Sequence, residues 1–299
     1  MRGGKTHAAR RSDSGKSEWQ GRQGRRDCRI IPGVEILTAI AEAFEKASSE
    51  GRSALISYVM GADPDPESFL EYAAAVSAHS DILEVGIPFS DPIADGPTIQ
   101  AASVRALERA ASVRGVIEAC SSLSGRLPVV IMCYYNTIHR MGEKEFVSQL
   151  SAAGVSGVIV PDLPFEEGAA LFRRCRSAGI DGVLLISPAT HPARARDIAS
   201  RSRGFLYVVS RYGVTGESKE LSARVASLIS SCREISSLPI SVGFGIATPE
   251  HVSAVTSAGA DGVVVGSAIV ARIGRREHPD DLSAFVAGLK AATRKSAAV

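Results

Sequence analysis

Residues 81–100 read D-I-L-E-V-G-I-P-F-S-D-P-I-A-D-G-P-T-I-Q, an apolar run that gives way to a loop rich in proline and acid. Ile82, Leu83, Val85 and Ile87 have the composition of a buried strand, with Glu84 as its one charge. Pro88, Pro92, Gly96 and Pro97 then break regular structure, while Asp91 and Asp95 add two carboxylates. A carboxylate inside an apolar strand is costly to bury ionised, so Glu84 is expected to hold its proton unusually tightly. Such a group suits proton transfer near neutral pH. An ion pair with an arginine elsewhere, or a frayed strand end, would produce the same pattern without chemistry.

Working outward, Ile82–Pro88 is one of eight short apolar runs. The others are Ala54–Met60, Pro128–Tyr134, Gly157–Val160, Gly182–Ser187, Phe205–Ser210, Pro239–Gly243 and Gly262–Val265. They are continuous rather than alternating, as in strands buried on both faces of a parallel sheet, and helical segments separate them. A repeated device supports the count: S-A-A-G-V-S-G (151–157), S-A-G-I-D-G (177–182) and S-A-G-A-D-G (257–262) each end a helix at one glycine and enter a strand through another. Ahead of the first strand, Ile36, Leu37, Ile40 and Phe44 recur at helical spacing from Val34 onward. Eight strand–helix units predict a (β/α)₈ (TIM) barrel with an extra N-terminal helix. A doubly wound open sheet is the alternative; the eightfold count and the lack of an early G-x-G-x-x-G weigh against it.

The 299 residues are 45% hydrophobic and 22% charged, with a net charge of +2. Residues 1–33 hold nine Lys/Arg against three Asp/Glu, a net +6, which leaves −4 on residues 34–299. The predicted division is a disordered basic extension, 1–33, before a single barrel domain, 34–299. The extension reads as a segment without a fold role, from a start set upstream. A plastid targeting peptide is the other reading, and a cytoplasmic location is expected. The acidic body implies no nucleic-acid face, and no apolar run is long enough for a membrane helix. Five dispersed cysteines, without C-x-x-C pairs, read as reduced thiols.

In such a barrel the chemistry sits where strands end. The strand ends bring Tyr58, Glu84 with the Asp91–Asp95 loop, Tyr134 to Asn136, Asp162, and the segment S-P-A-T-H (187–191) to one face. Strands 6 to 8 end in Gly213 and Gly216, Gly243 and Gly245, and Gly266 with Ser267. Three neighbouring glycine loops place bare N–H groups side by side, a phosphate site that needs no basic side chain; taken singly, each glycine explains only a tight turn. All seven lysines fall outside the predicted strands, which argues against imine chemistry on a barrel strand. The six histidines lack ligand spacing, with only His139 and His191 in strand-end loops, so no metal site is expected. Acid–base chemistry on a small phosphorylated substrate remains. Tyr134, Tyr135, Tyr207 and Tyr212 are candidates for an aromatic pocket or for ordinary packing.

The segments 84–100, V-P-D-L-P (160–164), Y-V-V-S-R-Y-G-V-T-G (207–216), G-F-G-I-A-T-P-E-H-V (243–252) and G-S-A-I-V (266–270) together resemble the tryptophan synthase alpha chain family, in the right order over about residues 34–295. The resemblance implies a lyase that cleaves indole-3-glycerol phosphate into indole and glyceraldehyde 3-phosphate. It implies Glu84 as the acid–base residue and Asp95 as the carboxylate facing the indole N–H. It further implies Gly216, Gly245, Gly266 and Ser267 around the phosphate; Tyr207, Tyr134, Asp162 and Thr215 at the substrate pocket; and Pro88, Asp91 and Arg211 in lid and partner loops. An α₂β₂ complex is implied, with pyridoxal phosphate in the beta chain and no cofactor here. Tyr212 departs from the small residue common in the family's lid, and Tyr135 resembles the plant and cyanobacterial variants. The extension has no counterpart. A free-standing indole-3-glycerol phosphate lyase, a non-catalytic activator subunit and a phosphosugar isomerase are the competing readings.

Overall fold

A computed structural model describes residues 37–209, 218–243 and 245–295. Eight parallel strands, β1 (Ala54–Met60), β2 (Ile82–Gly86), β3 (Val129–Met132), β4 (Gly157–Ile159), β5 (Asp181–Ile186), β6 (Leu206–Val209), β7 (Ile240–Gly243) and β8 (Gly262–Val265), close into a barrel in sequence order. At least one helix follows each strand, so the (β/α)₈ expectation holds. β2 ends two residues short of its predicted limit, since Pro88 has no N–H to extend the ladder. Ile87 N still donates to Met132 O at 2.8 Å, carrying the pairing one residue past β2.

The extra helix is Ala39–Ser49 rather than a helix from Val34. Thr38 caps it, its hydroxyl accepting from Ala41 N at 3.3 Å. Leu37 lies outside the helix and is 49% exposed, so the apolar stripe is Ile40, Phe44 and Ala47; Ile36 lies outside the described residues. These three side chains pack with the inward residues Ala54, Ile56, Ile82, Val130, Ile159, Val183 and Phe205, and so plug the floor of the barrel. The repeated strand-entry glycines now gain a reason. A Cβ at Gly157 would stand 2.9 Å from Ile40 Cδ1, and one at Gly262 would stand 2.9 Å from Phe44 Cε1. The helix-ending glycines of the same repeats, Gly154 and Gly259, take φ of +70° and +95°, where other residues are strained.

Beside this plug, Arg52 holds Asp81 with two bonds, Nη1 to Oδ2 at 2.7 Å and Nη2 to Oδ1 at 2.9 Å. Lys290 pairs with the same carboxylate, and Leu55 N donates to it at 2.8 Å. Burial alone would push the Asp81 carboxyl up, but these donors outweigh it and hold it below its usual range. Its stabilisation is therefore present above the ordinary carboxylate range and lost as pH falls through the depressed value. Asp81→Asn removes the charge shared by buried Arg52 and half-buried Lys290, leaving Arg52 to its pair with the more exposed Glu50, so we expect about 3 kcal/mol of lost stability. Urea unfolding checks this; a change under 1 kcal/mol would show that the cluster is dispensable.

Candidate active site

A cavity of about 1000 Å³ opens at the C-terminal ends of the strands, lined among others by Tyr58, Glu84, Asp95, Tyr207, Gly245 and Ser267. Glu84 projects inward from β2, in register with Tyr58 of β1 and Val130 of β3. It is 1% exposed, and its Oε2 is buried without a hydrogen-bond partner. Burial, reinforced by the charge of Asp95, pushes its pKa up to about 8. Asp95 precedes the helix Pro97–Glu108. Burial raises it as well, and a hydrogen bond with Tyr134 draws it back, to about 6. Near pH 7, then, one carboxyl carries its proton and the other is an anion. Two acids with separated affinities on one cavity divide the roles of proton donor and fixed negative charge.

The loop between β2 and this helix is pinned from several sides. Phe89 N donates to Ser103 Oγ at 2.9 Å, Ala94 N donates to the Tyr134 hydroxyl at 3.0 Å, and the rings of Phe89 and Tyr134 stack at 5.1 Å. Tyr134 thus lies beneath the loop and outside the cavity lining, holding Asp95 in place. Losing its bond with Asp95 would raise that carboxyl further, so Tyr134→Phe is expected to move the acidic limb of the pH–rate profile upward. An unmoved limb would rule out this coupling.

Asp162 lines the cavity and accepts from Tyr135 N at 2.9 and 3.2 Å, capping the helix Tyr135–Met141. Pro88 is buried at the loop's start, whereas Asp91 is exposed and accepts from Ser90 Oγ at 2.5 Å. Tyr135 bonds Glu143 at 3.2 Å, away from the cavity. His139 lies within the helix Tyr135–Met141 rather than in a loop, whereas His191 ends the loop between β5 and the helix Pro192–Arg201, as expected, and caps that helix.

Gly245, Gly266 and Ser267 line the same cavity, at the ends of β7 and β8. Ser267 opens the helix Ser267–Gly274, and an α-helix start offers backbone N–H groups suited to an anion. Thr215, Gly216, Arg211 and Tyr212 lie outside the described residues, so the third glycine loop adds nothing to this geometry. A Cβ at Gly243 would stand 2.6 Å from Tyr207 Cε2, so this glycine also leaves room for that ring. Tyr58, expected at a strand end but given no role, lines the cavity together with Ile99, Met132, Ile159 and Val264, which were not among the candidates. The signal for Tyr58 was Gly86, a glycine inside a strand, which marks a close approach. Among the described residues no cluster of three His, Cys, Asp or Glu is placed to hold a metal ion.

The family model described as "Tryptophan synthase alpha chain" matches residues 44–298. The chain belongs to the tryptophan synthase alpha chain family. The alpha chain of Thermosynechococcus vestitus is 42% identical over 255 residues, covering 84% of this chain and 95% of the relative. That of Methanopyrus kandleri is 44% identical over 235 residues, covering 78% and 86%. A tryptophan synthase structure from Mycobacterium tuberculosis superposes with a TM-score of 0.81 at 32% identity, covering 87% of this chain and all of that one. As a tryptophan synthase alpha chain it is a lyase of tryptophan biosynthesis. No helix among the described residues is long and apolar enough to cross a membrane.

Proposed function

We propose that the cavity cleaves indole-3-glycerol phosphate with Glu84 as acid and base and Asp95 as a fixed anion. Protonated Glu84 delivers its proton to indole C3, giving an indolenine cation whose charge and N–H face Asp95. The C–C bond then breaks: its electrons pass into the indolenine, and the proton of the adjacent glycerol hydroxyl goes to the carboxylate of Glu84. Indole and an aldehyde result, and the acid is regenerated. Gly245, Gly266 and Ser267 hold the phosphate through backbone N–H groups, with Gly216 joining them and Thr215 at the pocket. Tyr207 and the apolar lining receive the indole. The observation that carries this reading is the pair of acids with separated proton affinities on a cavity that also holds an amide-lined helix start.

The partner is a beta chain in an α₂β₂ assembly, which holds the pyridoxal phosphate. One structural relative, 37% identical with a TM-score of 0.75 and covering 80% of this chain and 98% of that one, is described as the mutually activating a2b2 tryptophan synthase complex of Pyrococcus furiosus. The loop with Pro88 and Asp91, together with Arg211, forms the lid and docking surface. Ile93, Val104 and Leu107, which are 84%, 53% and 39% exposed, support a docking face on this loop and the helix behind it. The test is indole release from indole-3-glycerol phosphate, with and without a beta chain. Slow turnover accelerated by the beta chain is expected. Fast unaided turnover would favour a free-standing lyase, and no turnover in either case would exclude the assignment.

A further inference from the structure

Tyr58 is 6% exposed and lines the cavity, and it has no assigned part in the chemistry above. Its ring is fixed at both ends by glycines. At the near end, a Cβ on Gly266 would stand 3.3 Å from Tyr58 Cβ and 3.5 Å from Cδ1. At the far end, a Cβ on Gly86 would stand 2.0 Å from the Tyr58 hydroxyl oxygen. Gly266 begins the anion site, and Gly86 lies two residues beyond Glu84 on the same inward side of β2. The phenol therefore stretches from the phosphate grip to the acid, the interval that a three-carbon chain must span between its phosphate and its indole.

The hydroxyl stands at the acid end of the cavity, against Gly86. Burial first, then the charges of Asp95 and Glu84, hold this phenol well above its usual pKa, so it stays a donor at every working pH. A phenol on the cavity wall can give its hydrogen to an acceptor bound there. Tyr207 provides a comparison on the far wall: it lies in register with Ser241 of β7 and leans over Gly243 in the same way, but it belongs to the floor-connected aromatic cluster with Phe205. Tyr58 alone of the two touches the anion site.

We propose that the Tyr58 hydroxyl donates to the glycerol hydroxyl on the carbon bonded to indole, and so selects substrates that carry it. The inference rests on the substrate reading given above. Tyr58 keeps its own proton throughout. It orients the substrate oxygen so that the O–H proton points at Glu84, and it stabilises the negative charge that grows on that oxygen as the bond breaks. A site that donates to a substrate hydroxyl discriminates strongly against the analogue lacking it, because the donor is then left unpaired.

The experiment compares wild type and Tyr58→Phe as full chains with a beta chain present. It uses two probes: indole-3-glycerol phosphate as substrate, and indole-3-propanol phosphate, which has the same chain without hydroxyls, as ligand. Phenylalanine keeps the ring between the two glycines, and the melting temperature reports whether it does. Expected are a kcat/KM for the substrate lowered roughly tenfold or more and an affinity for the propanol analogue changed less than about twofold. Unchanged kcat/KM in Tyr58→Phe would overturn the proposal. Equal weakening of both probes would also overturn it, since the ring and not the hydroxyl would then be responsible. If the wild type itself left the substrate uncleaved, the substrate reading would fail first; cleavage by the wild type with an indifferent variant would sink this inference alone.

Discussion

Glu84→Gln is expected to slow indole formation by roughly 10²–10⁴-fold and, at alkaline pH, to make the protein more stable. The amide fits the same space but can neither give a proton to indole C3 nor take one from the glycerol. The stability gain follows from the buried carboxyl. Its pKa of about 8 exceeds the 4.5 of an unperturbed Glu, so the native state binds this proton more tightly than the unfolded chain. The group's contribution is fully present below pH 4.5, declines as pH rises, and is gone above about 8. Glutamine does not titrate and avoids the loss, although its amide remains buried without a partner. A gain on the order of 1–3 kcal/mol at pH 9, and none near pH 4, is the expected difference. Melting curves at the two pH values check it. A variant equally stable at both, or active, would mean that Glu84 is an ordinary buried acid.

Asp95→Asn should remove the fixed anion while keeping an acceptor for the indole N–H, with a loss of roughly 10²–10³-fold in kcat. A second consequence separates an electrostatic role from a merely steric one. The charge of Asp95 is part of what raises Glu84. Without it the Glu84 carboxyl falls back toward neutrality, and the alkaline limb of the residual pH–rate profile moves to lower pH. With Glu84 as the proposed acid, its deprotonation ends the reaction, so the limb is expected to move downward. Full-scale measurement of kcat against pH in both proteins decides this. A reduced rate with an unshifted limb would leave Asp95 a role in shape alone.

Much of this was legible in the sequence because each strand is buried on both faces and writes itself as an unbroken apolar run. Glu84 stood out as the one charge in such a run, and its burial in the structure bears out the reasoning from cost. Less legible was what depends on contacts between distant segments. Tyr134 lies at a strand end like a pocket residue, but its hydroxyl turns to Ala94 N and Asp95, forty positions away in sequence, which no spacing encodes. Gly243 reads in sequence as bare backbone for an anion and Gly86 as nothing in particular; in the fold each also leaves room for a ring, Tyr207 and Tyr58, on the strand before it. The first helix was placed too early because Leu37 fits the apolar period while lying before the Thr38 cap. Local chemistry at a helix start overrides periodicity there.

The helix Ala39–Ser49, wedged under the strands with Ile40 and Phe44 against Gly157 and Gly262, closes the barrel from below, so among the described residues the cavity gives onto the strands' C-terminal rim. On the function proposed above, substrate and both products pass that rim. With the proposed beta chain seated over that rim, the partner would govern this traffic: it can collect the heteroaromatic product while the charged triose waits for the rim to part. The sequence of departures is then settled at the rim, and no mutation of the barrel's floor should change it without first unfolding the protein.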